Sequence, residues 1–194
     1  VGEAGRSAAL PIRTVPLGGR FKAGVFDIEF VGLTHSIPEP NGIAIRTPAG
    51  LVFHTGDWKF DPTPVVGKPH DPEKLKSLGD EGVLALVGDS TNAMRDGRSA
   101  SEADVAHTLM KIIADAPRCV AVTLFASNVA RVASIAEAAR KSGRTLVVAG
   151  RALHRIIEVA KETGYLPESF TYLDQQRFSD LPRNKTLVLC TGSQ

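Results

Sequence analysis

Leu51-Val52-Phe53-His54-Thr55-Gly56-Asp57-Trp58-Lys59 is an apolar, β-rich run that stops at a Thr-Gly turn and presents an aspartate just past it. Upstream lies a second run of the same kind, Ile43-Ala44-Ile45-Arg46-Thr47, separated from the first by Pro48-Ala49-Gly50. Two β-rich runs joined by a short Pro/Gly loop make a hairpin. Further upstream, Phe26-Asp27-Ile28-Glu29-Phe30-Val31 alternates apolar and acidic residues, the period of a half-buried strand. It is followed by Thr34-His35-Ser36-Ile37-Pro38. A histidine and an aspartate thus sit past the ends of two strands, each beside a turn.

Outward from this core the pattern changes. A connector rich in Pro and turn residues runs from Asp61 to Pro72. Residues 72–78 then predict a short helix, with Asp71 as N-cap, Pro72 at the first helical position, and Gly79 and Gly82 closing it. Val83-Leu84-Ala85-Leu86-Val87 is wholly apolar and predicts a buried, parallel strand. From residue 99, helices and strands alternate. Ser99-x-x-Glu102 has the form of a capping box opening a helix through Ala114, with Val105, Leu109, Ile112 and Ile113 on one face. Next come a strand over 119–124, a helix over 129–141 closed by Gly143, a strand over 145–149 and a helix over 152–163 closed by Gly164. Strands over 170–173 and 186–190 complete the series. Such units imply a parallel sheet with crossover helices. The change of regime falls at 93–100, where Arg95-Asp96-Gly97-Arg98 is polar. It divides the chain into a β-rich part, 1–98, and a three-layer α/β part, 99–194.

The composition is that of a soluble globular chain: 194 residues, 43% hydrophobic, 23% charged. A net charge of +2 leaves no global basic field of the kind that alone argues for nucleic acid. Arg131, Arg140, Lys141, Arg144, Arg151 and Arg155 make the second part locally basic; they read as solvated helix faces or as an RNA path. Cys119 and Cys190 lie in apolar strand runs and read as buried thiols of a cytoplasmic protein, not as a disulfide framework. The longest apolar runs, 83–87 and 119–126, are too short to span a bilayer. A start at Val1 and a stop at Thr-Gly-Ser-Gln directly after a strand point to a fragment.

Three residues at strand ends are the candidates for chemistry. His35 is a turn residue or a ligand; Asp57 is a turn former, a cap or a ligand; Asp89 follows the strand over 83–87 in Gly88-Asp89-Ser90-Thr91-Asn92. An imidazole suits zinc, and a carboxylate is a hard ligand able to bridge two metals. Ser127 and Asn128 occupy a strand-to-helix turn, where they serve as a helix cap or, with the free N–H groups of the helix end, as an anion contact. Gly192-Ser193 after the last strand offers the same. Trp58 and Phe60 read as packing under the site, and His70 as solvated.

The blocks 34–38, 54–61, 89–93, Thr123-Leu124-Phe125-Ala126-Ser127-Asn128 and Leu189-Cys190-Thr191-Gly192-Ser193-Gln194 occur in order, and they resemble the ribonuclease J family over essentially the whole chain. The resemblance implies the β-rich part of a metallo-β-lactamase αββα sandwich followed by a parallel-sheet, three-layer β-CASP domain, incomplete here. It implies a cytoplasmic, zinc-dependent ribonuclease that cuts RNA internally and degrades it from a 5′-monophosphate end, for RNA processing and decay. His35 then corresponds to a lone histidine ligand and Asp57 to the aspartate bridging two zinc ions, with manganese or magnesium as alternatives. Asp89 corresponds to an acidic residue that orients a histidine beside the reaction; Ser127, Asn128 and Ser193 correspond to substrate contacts. Homo-oligomers, degradosome partners and no membrane follow from the same resemblance. Two departures stand out: the H-x-H-x-D-H ligand block and the Gly-His-Ala-Ser block are both absent from the chain. The chain alone is therefore expected to bind metal weakly or not at all and to be inactive. Gly88 stands where the family usually has Ser. The rival readings are a non-catalytic RNA-binding or interaction module and a small-molecule hydrolase of the same fold.

Overall fold

The structure is a computed structural model that describes residues 11–192. Its first half is a five-stranded sheet: β1 (Arg20–Ala23), β2 (Phe26–Gly32), β3 (Asn41–Thr47), β4 (Gly50–His54) and β5 (Val83–Val87), in that spatial order. β1 was not legible as a strand. β3 and β4 form the expected hairpin, tightened to a Thr47↔Gly50 closing pair. Helix α1 (Pro72–Glu81) begins where expected, Asp71 accepting from the N–H groups of Glu73 and Lys74. It runs through Gly79 and stops at Gly82, whose φ of 93° ends it.

Leu78 of α1 closes a small core with Val31, Ala44, Leu51 and Phe53. The covered face of β2 is its acidic one. Glu29 is buried, paired to Arg46 (2.9 Å) and to Lys74 of α1, while Phe26 is 46% exposed. The alternation is real, but ion pairing lets the helix cover the charged side. The pairing also holds Glu29 below its ordinary pKa, although burial alone would push it up.

β5 corrects a second expectation. It is parallel to β4, as expected, but it is the sheet edge and not buried: Leu84, Leu86 and Val87 are all exposed. An apolar run gives strand length and leaves position in the sheet undecided.

The second half is the parallel sheet β6 (Val120–Leu124), β9 (Thr186–Thr191), β7 (Thr145–Ala149) and β8 (Leu173–Asp174), in that spatial order. Helices α2 (Glu102–Asp115), α3 (Val129–Lys141) and α4 (Arg151–Glu162) accompany it. The main core joins Val132, Ile135 and Ala138 of α3 and Leu153 and Ile157 of α4 to Val148, Leu187 and Leu189. β8 is shorter than expected, and the stretch before it is loop.

The helix start at 99 also shifts. The capping box is Ser101–Asp104, with both reciprocal hydrogen bonds formed, and Glu102 is the first helical residue. Ile112, expected on the packed face of α2, is 57% exposed, whereas Ile113 is fully buried. Cys119 and Cys190 are free thiols, and both are partly exposed.

Candidate active site

The sheet topology decides where the candidate residues go. β2 is antiparallel to β3, β3 to β4, and β4 is parallel to β5. β2, β4 and β5 therefore point the same way, and the turns that follow them leave one edge of the sheet. His35, Asp57 and Asp89 all lie on those turns.

The three turns are tied together. Thr34 and Lys59 form an isolated antiparallel bridge: Lys59 N donates to Thr34 O (2.8 Å) and Thr34 Oγ1 donates to Lys59 O (2.5 Å). Asp61 N donates back to Thr34 Oγ1 (3.0 Å). The third turn joins through Thr55, whose Oγ1 accepts from Asp89 N (3.3 Å), and through Trp58, whose Nε1 donates to Asp89 O (3.3 Å). Gly56 adopts φ 63°, which only glycine reaches without strain, and this turns the chain so that Asp57 faces solvent. The site edge also accommodates the departure at residue 88. A Cβ on Gly88 would meet Thr55 at 3.7 Å, an ordinary contact, so Gly and Ser are both allowed there.

Asp89 is held in its charged form. Its Oδ1 accepts from the Thr91 hydroxyl and from Thr91 N (2.8 Å), and these bonds, with the nearby His35, hold its pKa below the usual carboxylate range. His35 Nδ1 lies 3.1 Å from Ser36 Oγ. His54, at the strand end, accepts from Gly56 N at Nδ1 (3.0 Å).

A zinc site needs about four ligands. Among the described residues no group of three or more His, Cys, Asp or Glu side chains comes together to hold a metal ion. His35 and Asp57 by themselves do not make up a zinc centre.

A second set of residues links this edge to the α/β half, and sequence reasoning missed its function. Lys59 Nζ sits 3.1 Å from Glu102 Oε1 and 3.4 Å from Asp61 Oδ2. Glu102 accepts from Arg131 Nε (3.1 Å) and Nη2 (3.0 Å), and its own N–H donates to Asp61 Oδ2 (2.8 Å). Asp61 and Glu102 are 1% and 5% exposed. Burial pushes both carboxyls up, but their hydrogen bonds and cations bring both below their ordinary values. The network runs from the turn of Asp57 to the first turn of α3. The one legible signal was the alternation Trp58-Lys59-Phe60-Asp61; nothing local pairs Glu102 with Arg131, 29 residues away.

In the α/β half, Asn128 is the N-cap of α3, its Oδ1 accepting from Arg131 N (2.9 Å), and it is buried. Ser127 beside it is exposed. β6 and β9 are neighbours and parallel, so the turn after β9 leaves the same edge as Ser127 and Asn128; Ser193 itself lies outside the described residues. Most of the basic residues read as an RNA path have structural partners. Arg131 binds Glu102, and Arg140 and Lys141 bind Glu137. Arg144 is buried and donates to the carbonyls of Ala116, Arg118 and Thr186.

Beside Asp89, an open cleft of about 940 Å³ separates the 58–62 segment and His70 from the 89–104 segment. Trp58 and Phe60 line this cleft rather than lying sealed beneath the site, and Phe60 is 52% exposed. His70, read from sequence as solvated, stacks on Phe60 with ring centroids 4.4 Å apart. No helix among the described residues is long and apolar enough to cross a membrane.

Residues 117–194 match the family described as ribonuclease J, beta-CASP domain. The chain is 46% identical over 185 residues to ribonuclease J of Sinorhizobium meliloti, covering 95% of this chain and 33% of that protein. It is 40% identical over 190 residues to ribonuclease J of Thermus thermophilus, again covering 33% of the relative and 97% of this chain. A crystal structure of a protein of unknown function from Enterococcus faecalis superposes with a TM-score of 0.63 at 19% identity, over 95% of this chain and 45% of that one; it speaks to the fold alone. The chain spans about a third of the length of these curated relatives. With a matched beta-CASP domain over 117–194 and relatives that align along nearly all of it, the chain is similar to an internal stretch of ribonuclease J.

Proposed function

We propose that this chain is part of a cytoplasmic, metal-dependent ribonuclease that hydrolyses RNA phosphodiester bonds, both internally and from a 5′-monophosphate end. The observation that carries the reading is the convergence of the His35, Asp57 and Asp89 turns on one sheet edge, in a chain whose relatives are named ribonuclease J. In the longer protein, His35 and Asp57 supply two of the donors for a pair of zinc ions, or for manganese or magnesium in their place. The remaining donors come from outside this chain. Asp89, held as a carboxylate, positions a neighbouring group by hydrogen bonding through its free oxygen. Ser127, the N–H groups at the start of α3 and Ser193 contact the RNA backbone. Asn128 contributes by fixing that helix start. We assign 1–98 to the metallo-β-lactamase half and 99–194 to the β-CASP domain, and expect a homo-oligomeric parent with degradosome partners.

The test compares this chain with a polypeptide extended to the length of its relatives. Both are given 5′-monophosphorylated RNA with Zn²⁺ or Mn²⁺. Cleavage by the extended protein alone, abolished by Asp57→Ala, supports the proposal. RNA binding by both without cleavage favours a non-catalytic module.

A further inference from the structure

The cleft beside Asp89 has an unusual lining for a catalytic edge. Its acids are already engaged. Asp89 Oδ1 is held by Thr91, and Asp104 closes the capping box of α2. The ammonium of Lys59 is bound by Asp61 and Glu102. Arg98, in contrast, makes no ion pair among the described residues and is exposed on the cleft wall. The aromatic groups are grouped on the other wall. Trp58 meets Phe60 edge to face, with centroids 4.7 Å apart and planes at 70°, and His70 lies against Phe60 at 32°. Phe60 packs against both rings, yet it is half exposed and lines the cleft. His70 also carries a buried Nδ1 that has no hydrogen-bond partner among the described residues.

An exposed aromatic ring packed among other rings, and one uncommitted guanidinium on the facing wall, make a receptor for a planar group with a phosphate attached. We infer that this cleft is a stacking subsite for one unpaired base of single-stranded RNA. The base lies on Phe60, and Arg98 takes an adjoining phosphate. The hydroxyl and amide groups of Thr91 and Asn92 line the same cleft and are able to meet the base edge. The inference rests on the reading of the chain as part of an RNA hydrolase. It adds a place where the strand is gripped next to the Asp57 and Asp89 turns. Stacking is tolerant of base identity, because every base offers a π-face.

Trp58 is the only tryptophan in the chain, so its fluorescence reports on this cleft alone. The chain is titrated at low salt, without metal, with a 5′-phosphorylated oligoadenylate and separately with adenosine 5′-monophosphate. The expected result is a saturable change with the oligonucleotide and weaker binding of the mononucleotide. Phe60→Leu should raise Kd by about tenfold, while Phe60→Tyr keeps it, because the stacked ring supplies the affinity. Arg98→Gln should weaken binding and flatten its salt dependence. The inference is overturned by an unsaturable signal, or by an unchanged Kd in a Phe60→Leu variant whose circular dichroism matches the parent. It is equally overturned if the mononucleotide binds as tightly as the oligonucleotide, since the cleft would then be a free-nucleotide site. Should Phe60→Leu unfold, Phe60→Tyr and Arg98→Gln still decide: loss with Tyr, or no effect of Gln, sinks it. The readout needs no turnover, so failure to stack RNA is distinguishable from failure of the extended protein to cleave it.

Discussion

Replacing Glu102 by alanine should loosen the joint between the two halves of the chain. Glu102 is 5% exposed and accepts three hydrogen bonds from two cations, Lys59 and Arg131. In the variant, Arg131 loses its carboxylate and Lys59 keeps only Asp61 at 3.4 Å. Breaking a buried pair costs about 3–5 kcal/mol. The side chains of Lys59 and Arg131 are 22% and 29% exposed, so water recovers part of the loss. We therefore expect about 3 kcal/mol, the lower end of that range. For a chain of this size that is a fall in Tm of about 6–12 °C. The assay is thermal melting followed by circular dichroism at neutral pH, with Glu102→Gln beside it. Glutamine keeps part of the hydrogen bonding and loses the charge, so it should fall between the two. A Tm within about 2 °C of the parent for Glu102→Ala would show that the network contributes nothing measurable. An Arg131→Met variant and the double variant then give the coupling, which should approach the full single-variant effect.

Acid should act on the same groups. Glu29, Asp61 and Glu102 all have folded pKa values below their unfolded ones, so the stability they supply is complete above the unfolded values and is lost as pH falls through the folded ones; urea midpoints should drop below about pH 4.5, and a flat profile would contradict the assignment. Gly56→Ala forces a side chain to φ 63° and should cost about 1–3 kcal/mol, read as a lower urea midpoint with unchanged slope. Asn128→Ala should cost about 1 kcal/mol through loss of the α3 cap, and Asn128→Asp should keep most of it in the same melt.

Where the sequence spoke through short-range rules, it was right. α3 and β7 fall on the stretches marked out by periodicity and closing glycines, and Asp71 caps α1 through two backbone bonds. His35, Asp57 and Asp89 were legible as residues past strand ends because a strand, a turn and an acid or imidazole are all local features. The errors arose where two local signals competed or a distant partner intervened. Ser99 and Ser101 both offer a cap three residues before an acid, and Ser101 won, which freed Glu102 to bind Lys59 and Arg131.

What the sequence alone determined was the order and kind of most of the elements, the change from a β-rich part to a parallel α/β part, and the identity of the candidate residues. These rest on hydrophobic period, capping and turn chemistry, which act over a few residues. Only the tertiary structure decided that β2, β4 and β5 run the same way and so deliver three turns to one edge. It also decided that the charged face of β2 is the covered one, that β5 lies at the sheet edge, and that Phe60 opens into a cleft. Strand direction, buried ion pairs and exposure depend on partners 17 to 43 residues away along the chain, and no local pattern encodes the free energy of meeting them.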